Sequence, residues 1–261
     1  MKIGFIGSGN MAAAMIKGIV DSNLVDKTNL FVSDINKEQL SGFDGINTTT
    51  DNNFVIENSD YIFLTVKPQF YDDVLDKIIS AAGKIFITVA PGITTDYIKQ
   101  KLGQDIKVIR TMPNTPALIG EGITAVYYPE NLTKDERDFA ERILSSFSTP
   151  FEMPEALLDP IVSVTGSSPA YVYMFINAIA KSGERQGIDY DMALKMAAGT
   201  VIGAAKMLLA SEDTPEILIE KVCSKGGTTI EAVNHLKEAN FDKLIDTAMQ
   251  KCTSRALELK K

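Results

Sequence analysis

The sequence is short of the residues on which several kinds of catalytic site depend. Its 261 residues include one histidine, two cysteines and no tryptophan. A zinc site of the usual kind needs three or four Cys or His ligands, and a hydrolytic triad needs a histidine beside its nucleophile. The single histidine, His235, lies in a predicted helix, where a packing or surface role is the simpler interpretation. We therefore expect no metal site and no chemistry centred on histidine.

The sequence also has few cysteines, a negative net charge and no long apolar run. Two cysteines do not make a disulfide framework and favour a reducing, cytoplasmic location. The net charge of −8 argues against nucleic acid as a partner, because phosphate backbones require clustered cations. No apolar run reaches the roughly 18 residues of a membrane span, and the N-terminus predicts a strand rather than a signal peptide. We expect neither a nucleic acid nor a membrane as partner.

The first residues of the chain carry a strong positive signal. A short apolar strand at residues 3–6 runs directly into a glycine-rich turn, and a stretch typical of a helix follows. Gly7 allows the tight turn, Gly9 lets the backbone approach a phosphate, and Ala12 lets the helix pack on the strand. The start of the helix then offers N–H groups and a partial positive charge to an anion. The pattern predicts a dinucleotide site.

The first half of the chain alternates apolar strands with helical patterns. The strand patterns are rich in β-branched residues and fall at residues 30–33, 61–66, 84–89, 107–110 and 124–128. Such runs are typical of parallel strands buried on both faces. We therefore predict an α/β fold, with a Rossmann-type, doubly wound parallel sheet over residues 1–158.

The second half of the chain is predicted to be all-helical, over residues 159–261. Residues 169–186 are apolar on most faces, which predicts a buried helix. A second long helix spans residues 189–209, in which Gly199 and Gly203 would allow close packing of helices, either in a soluble core or across a subunit interface.

Asp34 follows the second predicted strand. An acid at this point typically accepts hydrogen bonds from the adenosine ribose and repels a 2′-phosphate, which would favour NADH over NADPH. Alternatively, Asp34 caps the next helix. The two interpretations have equal weight, so the preference between NADH and NADPH stays open.

Two later strands end in candidate cofactor loops. Ligands of open α/β sheets bind beyond the carboxyl ends of the strands. Either loop could equally be a simple turn. The residues concerned are Thr65, Val66, Lys67 and Pro68 after one strand, and Ala90, Pro91 and Gly92 after the next.

A second candidate for anion binding lies near the C-terminal end, where two glycines and two threonines open a helix. Backbone N–H groups at Thr228 and Thr229 could hold a small carboxylate. The competing interpretation is a capping box formed by Thr228 and Glu231, which needs no ligand.

Taken together, these segments resemble the pyrroline-5-carboxylate reductase family over nearly the whole chain. The resemblance rests on the glycine turn and on four further strings. These are Val66-Lys67-Pro68-Gln69, Arg110-Thr111-Met112-Pro113-Asn114-Thr115-Pro116, Thr165-Gly166-Ser167-Ser168-Pro169-Ala170-Tyr171 and Ser224-Lys225-Gly226-Gly227-Thr228-Thr229.

The resemblance implies hydride transfer from NADH or NADPH to the C=N carbon of 1-pyrroline-5-carboxylate, which gives L-proline. It also implies a helical domain that forms a homodimer through its long helices, often within a larger ring of dimers. The implied cofactor residues, beside Asp34, are Gly7, Ser8, Gly9, Asn10, Met11, Asn52, Thr65, Val66, Lys67, Pro68, Ala90, Pro91 and Gly92. The implied substrate residues are Ser224, Gly226, Gly227, Thr228 and Thr229. The Thr229 hydroxyl is expected near the ring nitrogen, and Glu212 matches a family acid close to that nitrogen.

The chain departs from the common family pattern at three positions. Thr165 and Ser168 stand where the family commonly has Ser and Gly, and Lys225 stands where it has Pro. None of these changes removes a backbone donor of the proposed carboxylate site. Lys225 adds a cation beside it.

Two other functions are compatible with the same plan. A hydroxyacid dehydrogenase or another imine reductase could share it, and Lys181 is then the candidate catalytic lysine of the first long helix. A dimer that only senses NAD(P)H is the second alternative. The intact Gly-Gly-Thr-Thr loop argues against a pure sensor, because a sensor needs no substrate site.

Overall fold

A computed structural model of the chain describes residues 1–259, which form two compact units. The first unit comprises Met1–Ser167 and the C-terminal residues from Cys252, and the second comprises Ser168–Lys251.

The first unit is built on one eight-stranded sheet. Its strands are β1 (Ile3–Ile6), β2 (Leu30–Ser33), β3 (Asn47–Thr49), β4 (Tyr61–Leu64), β5 (Ile85–Thr88), β6 (Lys107–Pro113), β7 (Gly122–Tyr127) and β8 (Ser148–Glu152). Its helices are α1 (Asn10–Asp21), α2 (Lys37–Leu40), α3 (Asn52–Glu57), α4 (Tyr71–Leu75), α5 (Thr95–Leu102) and α6 (Lys134–Ser145). Short 3₁₀ helices lie at Lys27–Asn29, Pro68–Phe70, Thr115–Ile119, Glu155–Leu157 and Pro160–Ser163.

The strand order is β3-β2-β1-β4-β5-β6-β7-β8, and β1 to β6 run parallel. The chain moves outward from β1 in one direction to β2 and β3, and in the other direction to β4. This reversal creates a crevice beyond the carboxyl ends of β1 and β4. The predicted doubly wound class is confirmed.

Three strands differ from the prediction. β7 runs antiparallel to β6, although its apolar run predicts a parallel strand, and β3 and β8 are strands that the sequence does not predict. The connection from β6 to β7 is a single 3₁₀ helix that ends at Gly120 in the left-handed conformation, with φ of 77°. Such a short link can only join antiparallel neighbours, because a parallel crossover needs a dozen or more residues.

Both faces of the sheet are buried. All four residues are buried in each of β1, β2, β4 and β5, as expected for parallel strands covered by helices on both sides. The ring of Phe5 stacks on that of Phe63, with 4.8 Å between centroids. Helix α1 packs against this layer through the fully buried Ala12, Met15 and Ile19.

The second unit is helical. It contains α7 (Ser168–Arg185), α8 (Tyr190–Ala210), α9 (Pro215–Val222), α10 (Thr228–Glu238) and the greater part of α11 (Phe241–Glu258). The prediction of a buried first helix is wrong for the single chain. Ala180 is the one buried residue of α7, while Tyr173 is 63% and Met174 72% exposed.

Helix α8 is equally apolar and equally exposed. A side-chain carbon added at Gly199 or Gly203 would meet nothing within 4 Å, so these glycines pack against no other helix of residues 1–259. By length and composition, α8 is the one helix among the described residues that could span a membrane, although it carries Lys195 and Lys206. The expectation that no apolar run reaches the length of a membrane span is therefore wrong for this helix.

Candidate functional site

The glycine turn after β1 requires glycine at its first position. Gly7 has φ of 100°, a conformation that other residues rarely adopt. Its N–H donates to the Ser33 carbonyl at 2.8 Å. A side-chain carbon at Gly7 would lie 3.0 Å from the carbonyl carbon and oxygen of Thr65. The turn therefore brings the ends of β1, β2 and β4 together at a distance that excludes a side chain.

Gly9 differs from Gly7, because the space beside it is open. It precedes α1 in an ordinary extended conformation, and no side chain caps the helix there. A carbon added at Gly9 would meet nothing within 4 Å. The first N–H groups of α1 therefore border an opening in which an anion can approach the backbone.

Asp34 lies against this turn. Its Oδ2 accepts hydrogen bonds from the N–H and the hydroxyl of Ser8, at 2.8 and 2.7 Å. Its Oδ1 accepts from the N–H of Asn36 at 2.9 Å. Partial burial works toward a higher pKa for the Asp34 carboxyl, but hydrogen bonds from Asn36, Ser8 and Ile35 outweigh it and lower that pKa. Asp34 is therefore held as a carboxylate at the end of β2.

The alternative role of Asp34, as the cap of the next helix, is wrong. Helix α2 is capped by Asn36, whose side chain accepts from the N–H of Glu38 at 3.0 Å. The carboxylate of Asp34 points instead to the glycine turn.

The remaining predicted cofactor residues of the first unit lie at the same edge of the sheet. The Thr65 hydroxyl donates to the carbonyls of Ile6 and Gly7, at 2.9 and 2.7 Å. Asn52 opens α3, and its Oδ1 accepts from the Ser33 hydroxyl at 2.7 Å. Thr65 and Asn52 thus join the ends of β4 and β2 to the turn.

The loops after β4 and β5 complete this edge. Lys67 is exposed and immediately precedes the 3₁₀ helix that Pro68 opens. Ala90 is buried, and Gly92 has φ of 74°. Because β1, β2, β4 and β5 are parallel neighbours, the loops that follow them meet at one edge.

A cleft of about 480 Å³ near the ends of β2 and β3 was not anticipated from the sequence. The N–H of Asp34 donates to the carbonyl of Thr49, at 3.2 Å, so the backbone of Asp34 lies beside one of the residues that line this cleft. Its lining residues are Lys37, Leu40, Ser41, Thr48, Thr49 and Thr50.

The predicted substrate residues form the loop between α9 and α10, in the second unit. Gly226 has φ of 71°. The N–H of Gly227 donates to the Ser224 carbonyl at 3.0 Å, and a carbon added at Gly227 would fall 2.3 Å from the Ser224 hydroxyl oxygen. The positive φ therefore favours glycine at position 226, while a side chain at position 227 would require the Ser224 hydroxyl to move.

The capping box suggested for this loop is absent. Gly227 is the cap of α10, no side chain caps the helix, and Thr228 is its first helical residue. Glu231 therefore lies one position too far along the helix to form the box. The first N–H groups of α10, at Thr228 and Thr229, are not bound by a capping side chain.

Three further candidates of the second unit are exposed side chains. Glu212 lies between α8 and α9, and its neighbour Asp213 is the residue that bonds to Ser211 and Lys221. Lys225 is exposed in the loop itself, and Lys181 is exposed on α7.

The Arg-Thr-Met-Pro-Asn-Thr-Pro string serves structure in the first unit, a role that the sequence did not reveal. Arg110 is 1% exposed and forms ion pairs with Asp159, which is equally buried, and with Glu155. Asn114 donates to the Thr165 carbonyl at 3.1 Å and accepts from the N–H of Ile123 at 2.9 Å. These contacts fix residues 155–165 on β6 and β7. A charged residue within an apolar strand pattern was the available signal.

Two family models match the chain. Residues 155–259 match the model described as pyrroline-5-carboxylate reductase dimerisation, and residues 2–92 match that of an NADP oxidoreductase, coenzyme F420-dependent. These matches fall in the helical part of the chain and around the glycine turn respectively.

Named relatives match the chain over its full length. The pyrroline-5-carboxylate reductase of Escherichia coli is 38% identical over 265 aligned residues, covering 100% of this chain and 98% of that protein. Among solved structures, the enzyme from Coxiella burnetii has a TM-score of 0.91 at 32% identity, covering 100% of this chain and 98% of that one. A Plasmodium falciparum pyrroline carboxylate reductase with NADP bound has a TM-score of 0.92 at 26% identity, with the same coverage.

Proposed function

The chain belongs to the pyrroline-5-carboxylate reductase family, and we propose that it reduces the C=N bond of 1-pyrroline-5-carboxylate with hydride from NADH or NADPH. The product is L-proline, so the reaction is the last step of proline biosynthesis. The observation that carries this proposal is that each unit contains a helix start, that of α1 or that of α10, which glycine opens and no side chain caps.

The cofactor fits the edge of the first unit. Gly9 leaves open the space that a pyrophosphate would occupy, and the N–H groups at the start of α1 would bind it. Asp34 would accept a hydrogen bond from the ribose, while the loops after β4 and β5 would border the rest of the molecule. The bound nicotinamide supplies the hydride.

The loop of the second unit would hold the substrate by its carboxylate. The N–H groups of Thr228 and Thr229 are oriented for an anion by the start of α10, and Lys225 adds a positive charge nearby. The Thr229 hydroxyl would hydrogen-bond to the ring nitrogen. A protonated imine is the better electrophile, so Thr229 or Glu212 would hold or supply that proton.

The protein is a homodimer through its helical unit in this proposal. The dimerisation model covers residues 155–259, and α7 and α8 expose apolar side chains that a second copy would cover. Burial of the apolar face of α8 in a dimer explains its composition without a membrane. We extend the proposal to a larger ring of dimers, and to the cytoplasm on the ground of the two free cysteines.

The test is oxidation of NADH and of NADPH, followed by absorbance, with 1-pyrroline-5-carboxylate supplied. Turnover supports the reductase. Binding of reduced cofactor without turnover, and without binding of L-proline, would support the sensor instead. Lys181→Met is the matched variant for the dehydrogenase alternative, because loss of turnover in that variant would place the chemistry on α7 rather than on the α9–α10 loop.

A further inference from the structure

We propose that Ser8 is a positioning residue that fixes the Asp34 carboxylate at the glycine turn, and that the fixed carboxylate makes the chain prefer NADH to NADPH. The inference rests on the proposed function, since it assigns a role within the cofactor site.

The hydrogen bonds around Asp34 carry the first step. A carboxylate offers about four acceptor positions on its two oxygens. Ser8 occupies two of them on Oδ2, through its N–H and its hydroxyl, and the Asn36 N–H occupies one on Oδ1. The Ile35 N–H also contributes to the hydrogen bonding of this carboxyl, so a ribose hydroxyl would share the remaining acceptor capacity with it. Asp34 is therefore held in place and still able to bind a 2′-hydroxyl.

The Ser8 hydroxyl is committed to Asp34. It lies 2.7 Å from Asp34 Oδ2 and 3.4 Å from Gln39 Oε1, and it has one proton to donate. Ser8 is 6% exposed, so water competes little for this bond. A residue without the hydroxyl would leave the carboxylate with its backbone donors alone and more freedom to rotate.

The charges near Asp34 carry the second step. A 2′-phosphate adds about two negative charges at the position where a 2′-hydroxyl would donate to the carboxylate, and like charges at close range repel. Lys37, in the neighbouring cleft, is the cation that could offset this repulsion. Solvent screens both charges, since Lys37 is exposed and Asp34 is partly exposed, but Asp34 is fixed at the turn by hydrogen bonds to Ser8 and Asn36. We therefore expect the repulsion of a 2′-phosphate by Asp34 to exceed its attraction by Lys37, so that NADH binds more tightly than NADPH.

The experiment is a double-mutant cycle read out as binding, without substrate. The dissociation constants of NADH and NADPH are measured by cofactor fluorescence for the wild type, Ser8→Ala, Asp34→Asn and the double variant. Ser22→Ala is the control, because Ser22 lies at the far end of α1 and bonds to the Ile19 carbonyl.

The wild type is expected to bind NADH more tightly. Ser8→Ala should lower the preference for NADH by about 3- to 10-fold, as expected for one hydrogen bond. Asp34→Asn should lower it by about 10-fold or more, because the charge itself is lost. In the Asp34→Asn background, Ser8→Ala should have no further effect on the preference. The Ser22→Ala control should leave the preference unchanged.

Three results would overturn the inference while leaving the reductase intact. They are equal affinity of the wild type for both cofactors, an unchanged preference in Ser8→Ala, and the same effect of Ser8→Ala in both backgrounds. A folded protein that binds neither cofactor would instead refute the proposed function, and the inference would fail with it.

Discussion

The two glycines of the cofactor turn are predicted to respond differently to the same substitution. Gly9→Ala adds a methyl group where the backbone has φ of −66° and where nothing lies within 4 Å. The free energy of unfolding should therefore change by less than about 1 kcal/mol, because alanine is a poorer helix cap than glycine but also lowers the conformational entropy of the unfolded chain, and the two effects oppose each other. The added methyl group would occupy the space of the pyrophosphate. We expect the dissociation constant of the reduced cofactor to rise at least about 10-fold, which corresponds to about 1.4 kcal/mol.

Gly7→Ala is the matched comparison. Its φ of 100° and the contact of 3.0 Å with the Thr65 carbonyl act against any side chain. We expect a loss of about 1–3 kcal/mol in the free energy of unfolding, from backbone strain and from the displaced strand end. Urea denaturation measures stability, and titration of cofactor fluorescence measures affinity. A Gly9→Ala variant with normal stability and unchanged affinity would refute the placement of the pyrophosphate at the start of α1.

Three further predictions concern separate parts of the chain. Thr229→Ala should lower kcat by about 10- to 1,000-fold if its hydroxyl acts on the ring nitrogen, and steady-state kinetics with an unchanged kcat would exclude that role. Arg110→Met should cost about 3–5 kcal/mol of stability in chemical denaturation, because it leaves Asp159 buried without this ion pair; a loss below about 1 kcal/mol would contradict the argument. Leu209→Glu, at a position 86% exposed within the chain, should weaken the dimer in light scattering on dilution, and an unaltered dimer would place the interface elsewhere.

The strands of the sheet were predictable to the extent that they are buried on both faces. β1, β2, β4 and β5 are continuous apolar runs because helices cover both sides, and each was predicted. β3 is a polar segment, Asn47–Thr49, and β8 contains Pro150, so neither has the composition of a buried strand. The direction of β7 was not predictable from its own residues, since it is set by the short link that precedes it.

Burial of the helices depends on more than one chain. The apolar pattern of residues 169–186 correctly predicts a helix, but the pattern does not say whether the apolar face is covered by the same chain or by a second copy. The structure of α7 exposes Tyr173 and Met174, so the covering surface is not supplied within the described chain.

Within the candidate site, the conformations of short turns were predictable from the sequence, whereas contacts between distant residues were not. The conformations of Gly7 and Gly226 follow from the chemistry of short turns, so the sequence motif already contains them. The bond between Ser8 and Asp34 joins residues 26 positions apart, and it exists only because β1 and β2 are neighbours in the sheet. Asp34 was therefore recognised as a candidate, while its partner Ser8 was assigned to the cofactor alone.

One of the strings on which the family resemblance rests, residues 110–116, also has a structural role. Arg110 is a cation in a buried strand, and burial of a charge is costly unless a partner of opposite charge is present. Asp159 and Glu155 supply that partner, and Glu155 also accepts from the N–H and hydroxyl of Thr95, at 2.8 Å each. Removing any one of these groups would leave the remaining charges less well paired, with the largest effect on the buried Arg110 and Asp159. A variant in this network therefore tests stability, whereas the proposed function is tested at the glycine turn and at the loop before α10.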